Sequence, residues 1–361
     1  MRLVKLALVN GAVLVLLGVV VEGLLSALLF TWDVVNEPTN PERRHTMYDA
    51  ELGWVAIPNL HIPDMYGPGV DLRTNSRGFR GNAELLEAVP QGKLRVICSG
   101  DSVTLGYGVD DDHSWCKLLE SLDQRFETVN MGQAGYGVDQ AYLWYKRDAA
   151  TIPHHVHLFA PIVDDFRRMQ SSTFFGGYGK PLLEVEDGSL VVKNVPVPTK
   201  AYRVPWLTEA ARHLGSLRTV QALRRLGGTS AWPPPNPPRA DQKQRTAQVV
   251  AKLLEDLKRV NEQRSSRLVL VYLPTQSELD SDDATFWSNV LERQSEALGI
   301  RLINLVEEFK RLSDEEVRTL YLHTDSGHFN ITGNQYVAKL IYRRLRTFPE
   351  IPRILFTGDR H

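Results

Sequence analysis

Two short stretches, far apart in the chain, carry the residue types of nucleophilic catalysis. Ser99–Val109 reads SGDSVTLGYGV and follows a short apolar run, Leu94–Ser99. A serine at a strand-to-helix turn presents its hydroxyl at the ligand-binding edge of a sheet, and its own N–H can point toward an oxyanion. Near the other end, His323–Gln335 reads HTDSGHFNITGNQ, with Asp325 and His328 three residues apart just before a helical pattern. That spacing lets one short turn hold His328 as general base while Asp325 orients its ring. Ser102 is then the candidate nucleophile. A Gly-Asp-Ser turn alone would be weak, because it occurs in many ordinary turns; the chain order Ser, Asp, His, with the last two adjacent, restricts the candidates sharply.

Other groupings invite different chemistry and are set aside. His154, His155 and His157 stand together as PHHVH at the start of a strand, with no carboxylate ligand nearby in sequence. They are read as ordinary surface histidines, and no metal is expected. The glycines of GYGV and GYGVD lack the Lys-Ser/Thr of a phosphate loop and the spacing of a dinucleotide fingerprint. No cofactor is expected. Cys98 lies just before the serine turn and Cys116 on the following helix; a disulfide is open to them, but a buried free thiol is the expectation.

The elements that must position these residues follow from periodicity. Strands are expected at 94–99, 126–130, 156–162, 268–273 and 301–305, alternating with helices at 114–122, 139–148, 244–263, 284–298 and 332–346. Such alternation implies a parallel sheet covered on both faces, with ligands beyond the carboxyl ends of the strands. The histidine cluster falls at the opposite, amino end. Residues 36–48 read as a polar tether, and 49–92 as short strands or extended loops broken by Pro and Gly. Between about 170 and 240 the alternation is interrupted. Residues 182–197 read as a hairpin turning at Asp187-Gly188, 206–226 as a basic amphipathic helix, and 232–241 (WPPPNPPRAD) as an extended connector.

The 361 residues allow two domains or one large one, and 43% hydrophobic with 24% charged residues excludes disordered and fibrous classes. Forty-two basic residues balance forty-three acidic ones, for a net charge of −1, which argues against nucleic-acid binding. Two cysteines supply no disulfide framework. From Leu6 to Trp32, only Asn10 and Glu22 are strongly polar. At ~1.5 Å per residue this run spans a hydrocarbon core of ~30 Å, and it is too long and too bulky at its end for a cleaved signal peptide. It reads as an uncleaved signal anchor. Arg2 and Lys5 precede it while Asp33 and Glu37 follow, which places the N-terminus in the cytoplasm and the body outside. This is the pattern of a single-pass bacterial inner-membrane protein with a periplasmic body. Phe30 and Trp32 would sit at the far interface. Glu22 within the span either meets a polar group of a neighbouring membrane helix or approaches the outer headgroups by tilt.

The three blocks together resemble the SGNH, or GDSL, hydrolase family. Gly100-Asp101-Ser102, with Gly106 and Gly108, matches its first block; Asn130–Gly137 (NMGQAGYG) matches the second, and Asp325-x-x-His328 with Asn330 and Gly333 the last. The segment DAELGW…TNSRGFRG looks like the leader of membrane-anchored, exopolysaccharide-linked members. The resemblance covers roughly 45–165 and 265–346. It implies a flavodoxin-like three-layer α/β/α fold with a central parallel sheet, here behind one transmembrane helix. The expected organisation is an anchor at 1–35, a tether and leader at 36–92, the hydrolase-like domain at 93–350 with its insertion, and a tail at 351–361. It also implies a Ser102–His328–Asp325 triad and oxyanion donors at the N–H groups of Ser102 and Gly135. The third oxyanion position falls at Asp164 (APIVDDF, 160–166), where the family carries Asn. An ionised carboxylate there donates nothing and repels an oxyanion; a protonated one could donate. The implied substrate is an acyl ester, by family analogy an O-acetyl group of a polysaccharide, with transfer to a sugar as the variant of hydrolysis. The rival expectation is a catalytically impaired accessory subunit that meets membrane-protein partners through Glu22 and the 170–240 insertion.

Overall fold

Leu94–Gly100 is buried at all seven positions, and four further parallel strands extend the sheet around it. The computed structural model describes residues 2–36, 45–149, 152–174, 178–198, 219, 240–323 and 325–351. The sheet strands are β1 (Leu94–Gly100), β2 (Phe126–Gly132), β3 (Val156–Ala160), β4 (Arg267–Tyr272) and β5 (Arg301–Asn304). Their spatial order is β5-β4-β3-β1-β2, all pairs parallel, which is the flavodoxin-like doubly wound arrangement. The helices that matter for the site are α1 (Arg2–Asn36), α2 (Ser102–Leu105), α3 (Trp115–Leu122), α4 (Val138–Asp148), α5 (Val163–Arg168), α6 (Ala240–Gln263), α7 (Asp282–Leu298) and α8 (Ile331–Thr347). α3 packs with α8, whereas α4 packs with α6 and α6 with α7. The chain is thus a three-layer α/β/α fold whose strands read as continuous apolar runs because both faces are covered.

The chain divides into two compact units, 1–41 with 202–238 and 42–201 with 239–361. In the first, Leu8–Leu28 of α1 has a mean hydropathy of 2.3 and a length sufficient to cross a membrane, and the window is unburied. Glu22 there accepts hydrogen bonds from the backbone N–H (3.0 Å) and hydroxyl of Thr219, and from Ser26 Oγ at 3.3 Å. Among the described residues, these three hydrogen bonds come from this chain. The side chains of Phe30 and Trp32, and the amphipathic 206–226 and proline-rich 232–239 stretches except Thr219, lie outside the described residues.

In the second unit, four expectations of local structure are corrected. The tether expected to 48 is already structured at its end: Thr46–Asp49 pairs antiparallel with Gly53–Ala56, and His45 before it is buried. Cys98 and Cys116 form a disulfide rather than free thiols; α3 packs close enough to β1 to bring their Cα atoms to 6.2 Å, within bridging range. His154 and His157 are buried rather than at the surface, because β3 is an inner strand, and His155 is half-buried. His157 Nε2 lies 2.6 Å from Ser99 Oγ and its ring stacks on Tyr145 at 3.6 Å, and His154 Nε2 lies 2.8 Å from Tyr145 Oη. Asn261 closes this network by accepting from Tyr145 Oη at 2.8 Å. Burial holds His157 well below the ordinary histidine range and lowers His154 to about 4, so both are neutral packing groups. The expected hairpin is present as Leu182–Glu186 and Ser189–Lys193, with Asp187 and Gly188 both at positive φ, the geometry of a tight two-residue turn. Asp241 belongs to α6 rather than to the connector before it.

Candidate active site

β1 delivers the Gly-Asp-Ser turn to the carboxyl edge, and close backbone approach fixes it there. A Cβ on Gly100 would lie 2.6 Å from Ala160 O, and one on Gly132 would lie 2.0 Å from the Leu105 N–H nitrogen. Only glycine lets α2 settle against the ends of β3 and β2. Asp101 caps α2, its Oδ1 accepting from Val103 N–H at 2.9 Å. Ser102 is buried at the first helical position.

His328 reaches the serine from the far end of the chain: its Nε2 lies 2.8 Å from Ser102 Oγ. The segment bearing it is a short strand, Asp325–Phe329, paired antiparallel with Tyr321–Leu322, rather than a turn. Several residues after and before it lock that strand. Asn330 caps α8 by accepting from Gly333 N–H at 2.9 Å, and its Nδ2 donates to Thr319 O and Tyr321 O. A Cβ on Gly333 would lie 2.0 Å from Leu320 O. Asn334 accepts from Trp115 N–H at 2.9 Å, which ties α8 to α3, and Tyr321 Oη donates to Pro274 O at the end of β4. The side chain of Asp325 lies outside the described residues. On the other side the Tyr107 ring packs on the imidazole at 4.4 Å and on Tyr66 at 4.7 Å, so the leader contributes to the wall beside His328.

Gly135 lies in the loop after β2 with φ +74°, a conformation open to glycine at little cost. Gln133 N–H donates to Gly100 O at 3.2 Å and Trp54 Nε1 donates to Ala134 O at 2.9 Å, so this loop is held between the serine turn and the leader. Asp164, by contrast, is 40% exposed and accepts from Arg167 Nη1 at 2.8 Å. Arg167 also binds Glu278 and Asp283, which draws the Asp164 carboxylate into a surface ion cluster. Asp165, one residue on, is the buried carboxylate: it accepts from Ile162 N–H at 3.0 Å and from Arg168 Nη1 at 2.8 Å. Burial, and next the charge of Asp101, push Asp165 well above the usual carboxylate range.

No protein-family model and no curated protein matches the sequence. Solved structures do match in shape. A lipolytic protein of the G-D-S-L family from Veillonella parvula is 13% identical with a TM-score of 0.40, over 71% of this chain and 98% of its own. The acetyl xylan esterase AlAXEase matches at 13% identity and a TM-score of 0.40, over 69% of this chain and 98% of its own. An acetylxylan esterase from Geobacillus stearothermophilus, a catalytic mutant, gives 13% and 0.41, over 71% of this chain and 95% of its own. One of these neighbours is thus a lipolytic G-D-S-L protein and two are acetyl xylan esterases.

Two arginines of the site make long-range contacts that the sequence does not signal. Arg80, in the leader's RGFRG, is buried and donates to the carbonyls of Leu105, Gly106 and Val109 and to Asp111 Oδ1 at 2.8 Å. It clamps the loop that follows α2. Arg168 stands one helical turn after Asp165 in VDDFRR, and its partner Asp101 is 67 residues away. The i,i+3 spacing from Asp165 was readable; the contact with Asp101 was not.

Proposed function

We propose that this chain is a serine esterase or acyltransferase of the SGNH type, held at a membrane by α1 and facing the extracytoplasmic side. The single observation that carries the reading is the 2.8 Å approach of His328 Nε2 to Ser102 Oγ at the carboxyl edge of the sheet. With the imidazole proton on Nδ1, Nε2 takes the serine proton as Oγ attacks the acyl carbon and the carbonyl π pair moves to oxygen. The N–H groups of Ser102 and Gly135 are the donors for that oxyanion. His328 then gives its proton to the departing alkoxide as the ester C–O bond breaks, leaving an acyl-serine. Water, or a sugar hydroxyl in the transferase variant, gives its proton to His328 and releases the acyl group by the same steps. Asp325 is the residue assigned to orient the imidazole. The substrate class is an acyl ester, with an O-acetylated polysaccharide as the specific reading that the leader resemblance suggests. The Cys98–Cys116 disulfide supports the extracytoplasmic side, since such bonds persist in oxidising compartments.

Detergent-solubilised full-length protein should label with a fluorophosphonate probe and hydrolyse p-nitrophenyl acetate. Ser102→Ala should abolish labelling, and His328→Ala should slow hydrolysis by ~10²–10⁴. Equal labelling of parent and Ser102→Ala would sink the reading.

A further inference from the structure

Ser102 has one hydroxyl hydrogen and two acceptors beside it. His328 Nε2 stands at 2.8 Å, and Asp101 Oδ2 at 3.3 Å. Only the hydrogen given to His328 leads to attack on an acyl carbon. A lone buried carboxylate is a strong competitor, because charge-assisted hydrogen bonds are roughly twice as strong as neutral ones. Asp101 is fully buried, yet it is not alone: the same Oδ2 accepts from Arg168 Nη1 at 2.9 Å.

Arg168 is held for this contact. Its Nη1 also donates to Tyr136 O at 3.0 Å and to Asp165 Oδ1 at 2.8 Å, and its guanidinium packs over the Phe174 ring at 5.2 Å. Burial and the neighbouring Asp101 charge push Asp165 well above the usual carboxylate range, and the guanidinium bridges the two acids, Asp101 at 2.9 Å and Asp165 at 2.8 Å. The Asp101 oxygen facing Ser102 is already occupied by the guanidinium.

We propose that Arg168 is a positioning residue for Ser102: by neutralising and holding the Asp101 carboxylate, it directs the serine hydrogen to His328. The inference rests on the esterase reading above and adds a residue that acts through another.

The test uses the detergent-solubilised full chain, p-nitrophenyl acetate kinetics and fluorophosphonate labelling rates, with melting temperature as the check on folding. Arg168→Gln should lower kcat by roughly 10- to 100-fold, within the range of a disturbed proton transfer, with KM changed far less. Arg168→Lys keeps a cation beside Asp101 and should stay within about tenfold of the parent. Asp101→Asn added to Arg168→Gln removes the uncompensated carboxylate while retaining the cap oxygen, and should recover at least about tenfold of the loss. A brace with no effect on the proton would give the opposite, the second substitution adding to the first. Parent-like kcat in Arg168→Gln, or a double variant slower than Arg168→Gln, overturns the inference and leaves the esterase reading intact. If Arg168→Gln does not fold, equal kcat loss in Arg168→Lys and the double variant overturns it, and recovery in the double variant supports it. A parent that neither hydrolyses the ester nor labels at Ser102 overturns the esterase reading and this inference with it.

Discussion

At the scale of single residues, Asp164 shows how a mismatch in a motif can be relocated by the fold. In the sequence it stands where an amide donor is expected, and a carboxylate there would oppose the oxyanion. In the structure its charge is spent on Arg167, half exposed to water. Asp164→Asn should therefore raise ester turnover by less than about 10-fold, short of the ~10²–10³ that one oxyanion donor is worth. Stability should move by less than about 1 kcal/mol, the usual size of an exposed pair. Steady-state kinetics and urea titration of the variant check both parts. A gain of 10³-fold would mean that the carboxylate faces the reacting atoms after all.

At the scale of elements, the leader packs against the candidate site, Tyr66 beside Tyr107 and Arg80 on the loop after α2. Arg80 donates to three backbone carbonyls and to the Asp111 carboxylate at once, so removing it strips the loop after α2 of its central donor. Arg80→Ala should cost about 3–5 kcal/mol in chemical denaturation, the range for breaking a buried pair. Lysine should not restore it, because one ammonium nitrogen replaces a fork that reaches in several directions. The five sheet strands and the helices between them were legible in the sequence, since covered parallel strands are short apolar runs and amphipathic helices repeat every 3.6 residues. The Ser102 turn was legible because its backbone demands are local, whereas Asn330 and Gly333 stood out only as part of a motif and their cap emerged from the structure. The hydrogen bonds of Arg80 and Arg168 were not, because nothing in RGFRG or VDDFRR distinguishes the buried arginine from its exposed-looking neighbour. The histidine cluster misled for a related reason: PHHVH looks polar, and only the position of β3 inside the sheet makes it core.

At the scale of the whole molecule, those buried histidines set an acid limit. His45 and His154 are lowered to about 4, each by burial first, and burial likewise holds His157 well below the ordinary histidine range. All three are neutral when folded and regain a pKa near 6.5 when unfolded, so below pH 6.5 the unfolded chain binds more protons. Stability is full above pH 6.5 and falls as pH drops toward 4, each group steepening the loss by up to about 1.4 kcal/mol per pH unit. Asp165 works in the opposite sense, since its raised pKa costs stability as pH rises above 3.8. His155, also lowered by burial, adds to the three, and with these histidines against one carboxylate denaturation midpoints should fall between pH 6.5 and 4. His154→Gln should flatten that limb by roughly a third. A flat profile would show that the histidines are hydrated. Reduction of the Cys98–Cys116 bond, whose partners are 18 residues apart, should cost about 3 kcal/mol by loop entropy.

That bond also has an analytical consequence. Between Arg95 and Lys117 the chain contains no lysine or arginine, so trypsin releases Val96–Lys117 as one peptide. Both cysteines and Ser102 travel on it. The mass of this single fragment therefore reports together whether the sulfurs are joined, by two missing hydrogens, and whether the serine has been acylated or phosphonylated.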